Sequence, residues 1–200
     1  MEKLGFNLAL MGMITSGKDT QANILKTKYS LKTIETGKYS RMLLKAKNKD
    51  GDRARKTVGK GKPLPVVLMK KFLINEISKK NKNKDLLFIG GPRLKPEAQL
   101  VKKILDSSKQ KLLVVYITLP DKEVYRRSIS RQSGLAKDIY KVLDAKHLIA
   151  PRIKWHKEQV GKTVKYFDKL KILKKINGNQ SISKVTKEIE KAIKEYKSKN

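Results

Sequence analysis

The chain has 200 residues, with 49 Lys or Arg against 18 Asp or Glu, giving a formal net charge of +31 at pH 7. That length suits one ordinary domain able to bury about 70% of the surface its unfolded chain would expose, so neither a metal nor a disulfide is needed to hold it together. The lack of cysteine excludes a disulfide framework and any cysteine-ligated zinc site, and no stretch approaches the roughly 18 consecutive apolar residues of a membrane-spanning helix.

The first apolar run, LGFNLALMGMI, has the length of a secretory h-region. It enters a glycine-containing loop without a small-residue cleavage site, so it predicts a buried strand over Phe6 to Met11 and a cytoplasmic location. Helical spacing follows at Thr20 to Tyr29. Lys45 to Pro63 is polar, contains glycine and has weak periodicity, which predicts a mobile excursion and not a linker between cores. Further helices are predicted at Pro65 to Lys79, Pro96 to Lys103, Asp121 to Arg131, Ala150 to Phe167 and Ser183 to Tyr196, and strands at Leu86 to Ile89, Leu112 to Thr118 and Leu170 to Ile176. The last helix carries Ile182, Val185, Ile189, Ile193 and Tyr196 on one stripe with lysines opposite, the pattern of a core-packed amphipathic helix. Strands alternating with helices predict an α/β fold of three layers, a parallel sheet of about five strands with helices on both faces. There is no internal repeat.

The charge admits two readings. One is a polyanionic partner, nucleic acid above all; the other is a set of lysine-coated, solvated helix faces. The lysines are spread along the chain among apolar residues with no single basic tail, which favours the second. Only eight of the basic residues are Arg, and Arg forks bidentately onto phosphate oxygens where Lys offers a point charge, so a chain this rich in Lys is expected to retain Arg where geometry counts.

The stretch GMITSGKDTQ, Gly12 to Gln21, lies between the first strand and the first helix. A glycine turn there aims backbone N–H groups and the positive end of the helix dipole at one point, and phosphate is the natural occupant. Lys18 would reach the outer phosphates, and a hydroxyl just beyond it would face Mg2+.

This stretch resembles the phosphate loop of the adenylate kinases and related nucleoside monophosphate kinases, GxPGSGKGTQ. It matches at Gly12, Ser16, Gly17, Lys18, Thr20 and Gln21 and departs at Ile14, Thr15 and Asp19. In that family the hydroxyl comes two residues after the lysine, a role that falls to Thr20. The resemblance continues over nearly the whole chain. Glu35-Thr36-Gly37 through Arg41 is similar to STGDxxR, Gly61-Lys62-Pro63-Leu64 to GKLV, and Leu86-Leu87 with Gly90-Gly91-Pro92-Arg93 to LLxDGFPR. Pro120-Asp121 through Arg127 and Arg131 is similar to PDxxxxxRxxxR. Lys141 through Asp144, Arg152 and Tyr166-Phe167 follow R-x-D-D…R…YY, with Lys141 for the first Arg and Leu143 for the first Asp. Ile176-Asn177-Gly178 resembles the loop bracketing the ATP base, which puts Gln180 near adenine.

The resemblance implies a P-loop kinase with a core at 1–34, 65–131 and 142–200, a nucleoside-monophosphate-binding segment at 35–64 and a short lid at 132–141. It implies phosphoryl transfer from Mg-ATP to AMP. Lys18, Arg93, Arg127, Arg131, Lys141 and Arg152 would surround the transferring group. Thr15 to Thr20, Arg131 and Gln180 would bind ATP; Thr36, Arg41, Lys62, Pro63, Leu64, Gly90, Arg93, Glu97, Lys141 and Arg152 would bind AMP. Asp144 belongs to the lid region. The chain is expected to act as a monomer, with Mg2+ as cofactor and no zinc.

Three departures stand out. The family's acidic residue at the end of the LLxDGFPR strand is Ile89 here, while Asp19 is an added carboxylate on the loop; either Asp19 takes over the outer-shell duty toward Mg2+, or it only favours the first helical turn. Glu97 replaces a base-reading Gln: it either meets an amino or N–H edge of the base or serves as a helix N-terminal acid. Between Arg131 and Lys141 only nine residues remain, a lid without a zinc-bearing insertion. His147 and His156 have no metal or triad spacing and are expected to be structural. A UMP or CMP kinase, an inactive nucleotide-binding relative and a basic nucleic-acid-binding protein are the competing readings.

Overall fold

The computed structural model describes residues 1–58, 62–81, 83–133 and 145–199, without the side chains of residues 132 and 133. Five strands, β1 (Asn7–Gly12), β2 (Leu31–Glu35), β3 (Asp85–Ile89), β4 (Leu112–Thr118) and β5 (Leu173–Asn177), form one sheet in the order β2-β3-β1-β4-β5. Every pairing is parallel. The helices are α1 (Lys18–Lys28), α2 (Thr36–Lys45), α3 (Lys49–Thr57), α4 (Val66–Ser78), α5 (Lys95–Ser107), α6 (Asp121–Ser133), α7 (Lys146–Trp155), α8 (Gly161–Lys169) and α9 (Ile182–Ser198). A π-helical turn, His156–Val160, joins α7 to α8.

Both sheet faces are apolar, as a parallel sheet requires when crossover helices cover each side. Along β1 the side chains alternate: Ala9 and Met11 join the cluster beneath α2 to α5 and α8, while Leu8 and Leu10 join the cluster beneath α1 and α9. Leu86 and Phe88 against Leu87 and Ile89 on β3 repeat the division, which is the period-two geometry of a strand read from both sides. A third cluster, with Met13, Leu119, Val124, Ile149 and Ile153, lies where α6 and α7 meet the loops after β1 and β4. The order change between β1 and its neighbours opens a crevice at the carboxyl ends of the strands, where ligands of open α/β sheets bind.

The three-layer expectation and the five strands agree with this fold. Two predicted elements differ. Lys45 to Pro63 holds α3, capped by the Asn48 side chain, which accepts the Gly51 N–H at 2.9 Å. Arg55 reaches back to the Leu44 and Ala46 carbonyls at 3.0 and 2.8 Å, so the helix is held by its cap and by α2, where an apolar stripe is lacking. The last strand begins at Leu173 because Leu170 closes α8 and Lys171 turns the chain at φ 56°. The edge strand β2 has only Ile34 fully buried, too weak a pattern to name from spacing alone.

Candidate active site

The phosphate loop follows from local constraints. Gly12 ends β1 with φ 152°, and a Cβ there would stand 2.4 Å from the Ile117 carbonyl oxygen and 2.8 Å from Ser16 Oγ. Gly17, at φ 85°, is the left-handed residue that starts α1, a conformation glycine adopts without penalty. Thr15 adopts φ 59°, an uncommon angle for a residue with a Cβ and the kind of local strain that a binding loop retains. Ser16 is buried. Lys18 folds back across the loop, donating to the Met13 carbonyl at 2.6 Å and to Ser16 Oγ at 3.4 Å. The loop after β5 closes this side, with Gly178 N–H on the Thr118 carbonyl at 2.8 Å. A Cβ on Gly178 would lie 2.6 Å from Ile117 Cγ2 and 2.7 Å from the Thr118 carbonyl oxygen, so only glycine fits between that loop and the end of β4.

A cavity of about 440 Å3 opens over the loop. Ile14 through Thr20 form one wall; Glu35, Gly37, Lys38, Ser40, Arg41, Val58 and Lys62 form the opposite one; Ile89, Gly90 and Arg93 form the floor, and Arg127, Arg131 and Arg152 the remaining side. Gly37 lets two guanidiniums approach, since a Cβ there would be 3.2 Å from Arg41 and 3.4 Å from Arg93. Arg93 Nε donates to the Gly90 carbonyl at 2.9 Å, and its own carbonyl accepts Thr163 Oγ1 at 2.7 Å. Arg127 is oriented by Glu123 at 2.6 Å and by the Gly178 carbonyl at 3.3 Å.

Crowding of cations sets the electrostatics. Burial pulls the Lys18 ammonium down to about 8; Asp19 opposes that, while Arg93, Arg131 and Arg152 add to it. Burial also lowers Arg93, against the pull of Glu97. Phosphate oxygens entering the cavity would relieve this repulsion, which makes the pocket complementary to several closely spaced negative charges.

The cavity therefore gathers Thr15, Ser16, Gly17, Lys18, Asp19, Thr20, Arg41, Lys62, Gly90, Arg93, Arg127, Arg131 and Arg152 of the predicted site. Pro63 borders a smaller inner cavity, and Leu64 lies in the core. Thr36 is fully buried with Oγ1 donating to the Ile89 carbonyl at 3.3 Å. Glu97 is 2% exposed, and its Oε2 accepts the Arg93 and Leu94 N–H groups at 2.8 and 3.2 Å, the geometry of a helix N-terminal acid. Gln180 donates to the Asn177 carbonyl at 2.8 Å and to Glu188 at 2.6 Å. Lys141 and Asp144 lie outside the described residues. Two residues that sequence spacing gave no reason to place here are Tyr116 and His156, which meet at 3.1 Å; His156 borders the inner cavity beside Lys18, Arg93 and Arg152. Their contact joins β4 to the helix after α7, a tertiary proximity with no signal in spacing. Among the described residues no group of three or more His, Cys, Asp or Glu is placed to hold a metal, and no helix is long and apolar enough to cross a membrane.

A glycine-turned loop before a helix, a lysine inside it and a ring of arginines facing both walls define a P-loop phosphotransferase. The adenylate kinase family model matches residues 10–172. Relatives named adenylate kinase include those of Methanothrix thermoacetophila, 27% identical over 95% of this chain and 99% of that protein, and Azobacteroides pseudotrichonymphae, 29% identical over 94% and 96%. That of Flavobacterium psychrophilum is 27% identical over 94% and 97%. The chain belongs to the adenylate kinase family, a family of nucleoside monophosphate kinases.

Proposed function

We propose that the protein transfers the γ-phosphoryl group of Mg-ATP directly to AMP, giving two ADP. The observation carrying this is one cavity with the phosphate loop on one wall, the start of α2 from Gly37 to Arg41 on the other and Arg93 and Arg152 between them. Such a transfer demands little covalent work; the protein neutralises crowded charge and aligns donor with acceptor. Lys18 and the loop N–H groups hold the β and γ phosphates, and Arg127 and Arg131 lie on the donor side. Arg41 and Arg93 grip the acceptor phosphate, and Arg152, with Lys141, bridges the two. The reading divides the chain into a core, an acceptor-binding segment at 35–64 and a lid at 132–141.

Mg2+ fits the donor set: Thr20 and Asp19 present a hydroxyl and a carboxylate from the first turn of α1 at the cavity wall. When bound with ATP it neutralises developing charge on the phosphates and keeps several waters, which need acceptors. Asp19 is the acceptor the loop offers, and Ile89, on the cavity floor, contributes a carbonyl already taken by Thr36. Asp19→Gly is expected to weaken Mn2+ binding to the ATP complex, read by electron paramagnetic resonance, with metal-free ATP binding changed little. An unaltered Mn2+ affinity would show that Asp19 serves only the helix start.

ADP formation from ATP and AMP by the intact protein, compared with Lys18→Ala, tests the function; a loss of about 10³-fold or more is expected for the variant. A panel of nucleoside monophosphates at fixed ATP tests the acceptor, with AMP expected to give the highest kcat/KM. Preference for UMP or CMP would overturn the AMP assignment.

A further inference from the structure

Among the buried titratable groups that phosphoryl transfer leaves unused, one faces the cations that carry it out. His156 is 8% exposed and begins the π-turn between α7 and α8. Its ring borders the inner cavity of about 70 Å3, with Lys18, Arg93 and Arg152 on the same surface. The ring nitrogen Nε2 lies 3.1 Å from Tyr116 Oη. Tyr116 is paired with Met11 of β1, the residue before Gly12, where the phosphate loop begins. The contact thus ties the helix bearing Arg152 to the strand beside that loop.

The π-turn is a second mark of the same position. Gly161 N–H bonds the His156 carbonyl, five residues back, a wider turn than the α-helix uses. Such turns are rare and are frequently found at functional sites. Arg152 stands one α-turn before His156, so the ring's seat fixes where that guanidinium enters the cavity.

We propose that His156, anchored by Tyr116, is a positioning residue for phosphoryl transfer: it acts as an uncharged spacer that sets Arg152 against Lys18 and Arg93. This rests on the phosphotransferase reading of the cavity. The groups around the ring are Tyr116 from β4, Lys18 from the start of α1, Lys62 from the opposite wall, Arg93 from the floor and Arg152 from α7. Burial, and after it Lys18, Arg93 and Arg152, hold the imidazole down to about 3. It is therefore neutral wherever the protein is folded near neutral pH. A cationic side chain in that seat would repel the cations it spaces; a side chain without a polar tip would leave the half-buried Tyr116 hydroxyl without its His156 partner.

The test uses the full chain with Tyr116→Phe, His156→Phe, His156→Gln and the double variant Tyr116→Phe/His156→Phe, with steady-state ADP formation normalised to folded protein. Each Phe single variant is expected to lose about tenfold in kcat with KM for ATP and AMP within about threefold, since misplacement of aligned groups acts on the aligned state. The double variant is expected to lose no more than the worse single, as residues acting through one contact do. His156→Gln, which keeps a polar tip, is expected to recover most of the rate. Ring nitrogen chemical shifts of His156 should report a neutral imidazole from about pH 6 to 8. Ile189→Val, a core change outside the cavity, controls for stability alone and should lower the melting temperature without the kcat loss. Folded Tyr116→Phe with kcat within about twofold of the parent, additive losses in the double variant, or a doubly protonated ring at pH 7 would each overturn the proposal. If the parent itself forms no ADP, the phosphotransferase reading fails, and the ring's charge state is still measured separately.

Discussion

At Gly12 a single missing Cβ decides whether the phosphate loop can close, because the Ile117 carbonyl oxygen occupies the space a methyl group would need. Gly12→Ala is expected to cost about 1–3 kcal/mol in stability through overpacking and to weaken ATP binding, with thermal unfolding and titration calorimetry as the measurements. Lys18 gives a pH dependence. With its ammonium lowered from 10.5 to about 8 in the nucleotide-free protein, the charged form predominates at neutral pH and is lost as pH rises through 8. ATP affinity should therefore fall by up to about tenfold from pH 7 to 9 when only the ammonium form binds phosphate. His156 acts in the acid range. Its folded value of about 3 lies below the ordinary 6.5, so the unfolded chain binds a proton that the native state refuses. Stability is complete above 6.5 and declines as pH falls from there toward 3. His156→Phe should flatten that part of a melting-temperature profile.

Elements were legible in the sequence where burial is strong. On α9 the predicted stripe is buried at Val185, Ile189 and Ile193, with Ile182 at its start exposed and Tyr196 half-buried, and the apolar runs of β1 and β4 are in the core. Two elements on the side facing the phosphate loop were not legible. The edge strand β2 buries one side chain completely, and α3 depends on its Asn48 cap and on Arg55 bonds to α2; the fold supplies what the pattern lacks. Gly51 inside α3 has the same origin, as a Cβ there would be 2.0 Å from the Ala46 carbonyl oxygen. Asn48→Ala should cost about 1 kcal/mol and, on the proposed division of the cavity, raise KM for AMP more than for ATP, because the segment it loosens is the one proposed to hold the acceptor and not the phosphate loop. Equal effects on both substrates would place the cap's influence elsewhere.

For the whole molecule, the charge of +31 has to be weighed against a compact cationic cavity. The cavity gathers five arginines, whereas lysines outside it form surface ion pairs such as Lys102–Asp106 along α5 and Lys174–Glu195 between β5 and α9, which contribute little to stability. Phosphoryl transfer should consequently fall gently between about 50 and 200 mM salt; a protein whose main work was multi-phosphate binding to nucleic acid would lose orders of magnitude in affinity over that range. The sequence by itself determined the three-layer class, through alternation of strand and helix patterns, and its resemblance to the adenylate kinase motifs named most of the glycine, lysine and arginine residues that line the cavity. Only the tertiary structure decided which groups face inward. It turned Glu97 into a helix cap, since two backbone N–H groups in a buried turn need an acceptor, and it brought Tyr116 and His156 together across 40 residues. Such choices depend on which buried groups find partners, and that is set by packing between distant segments.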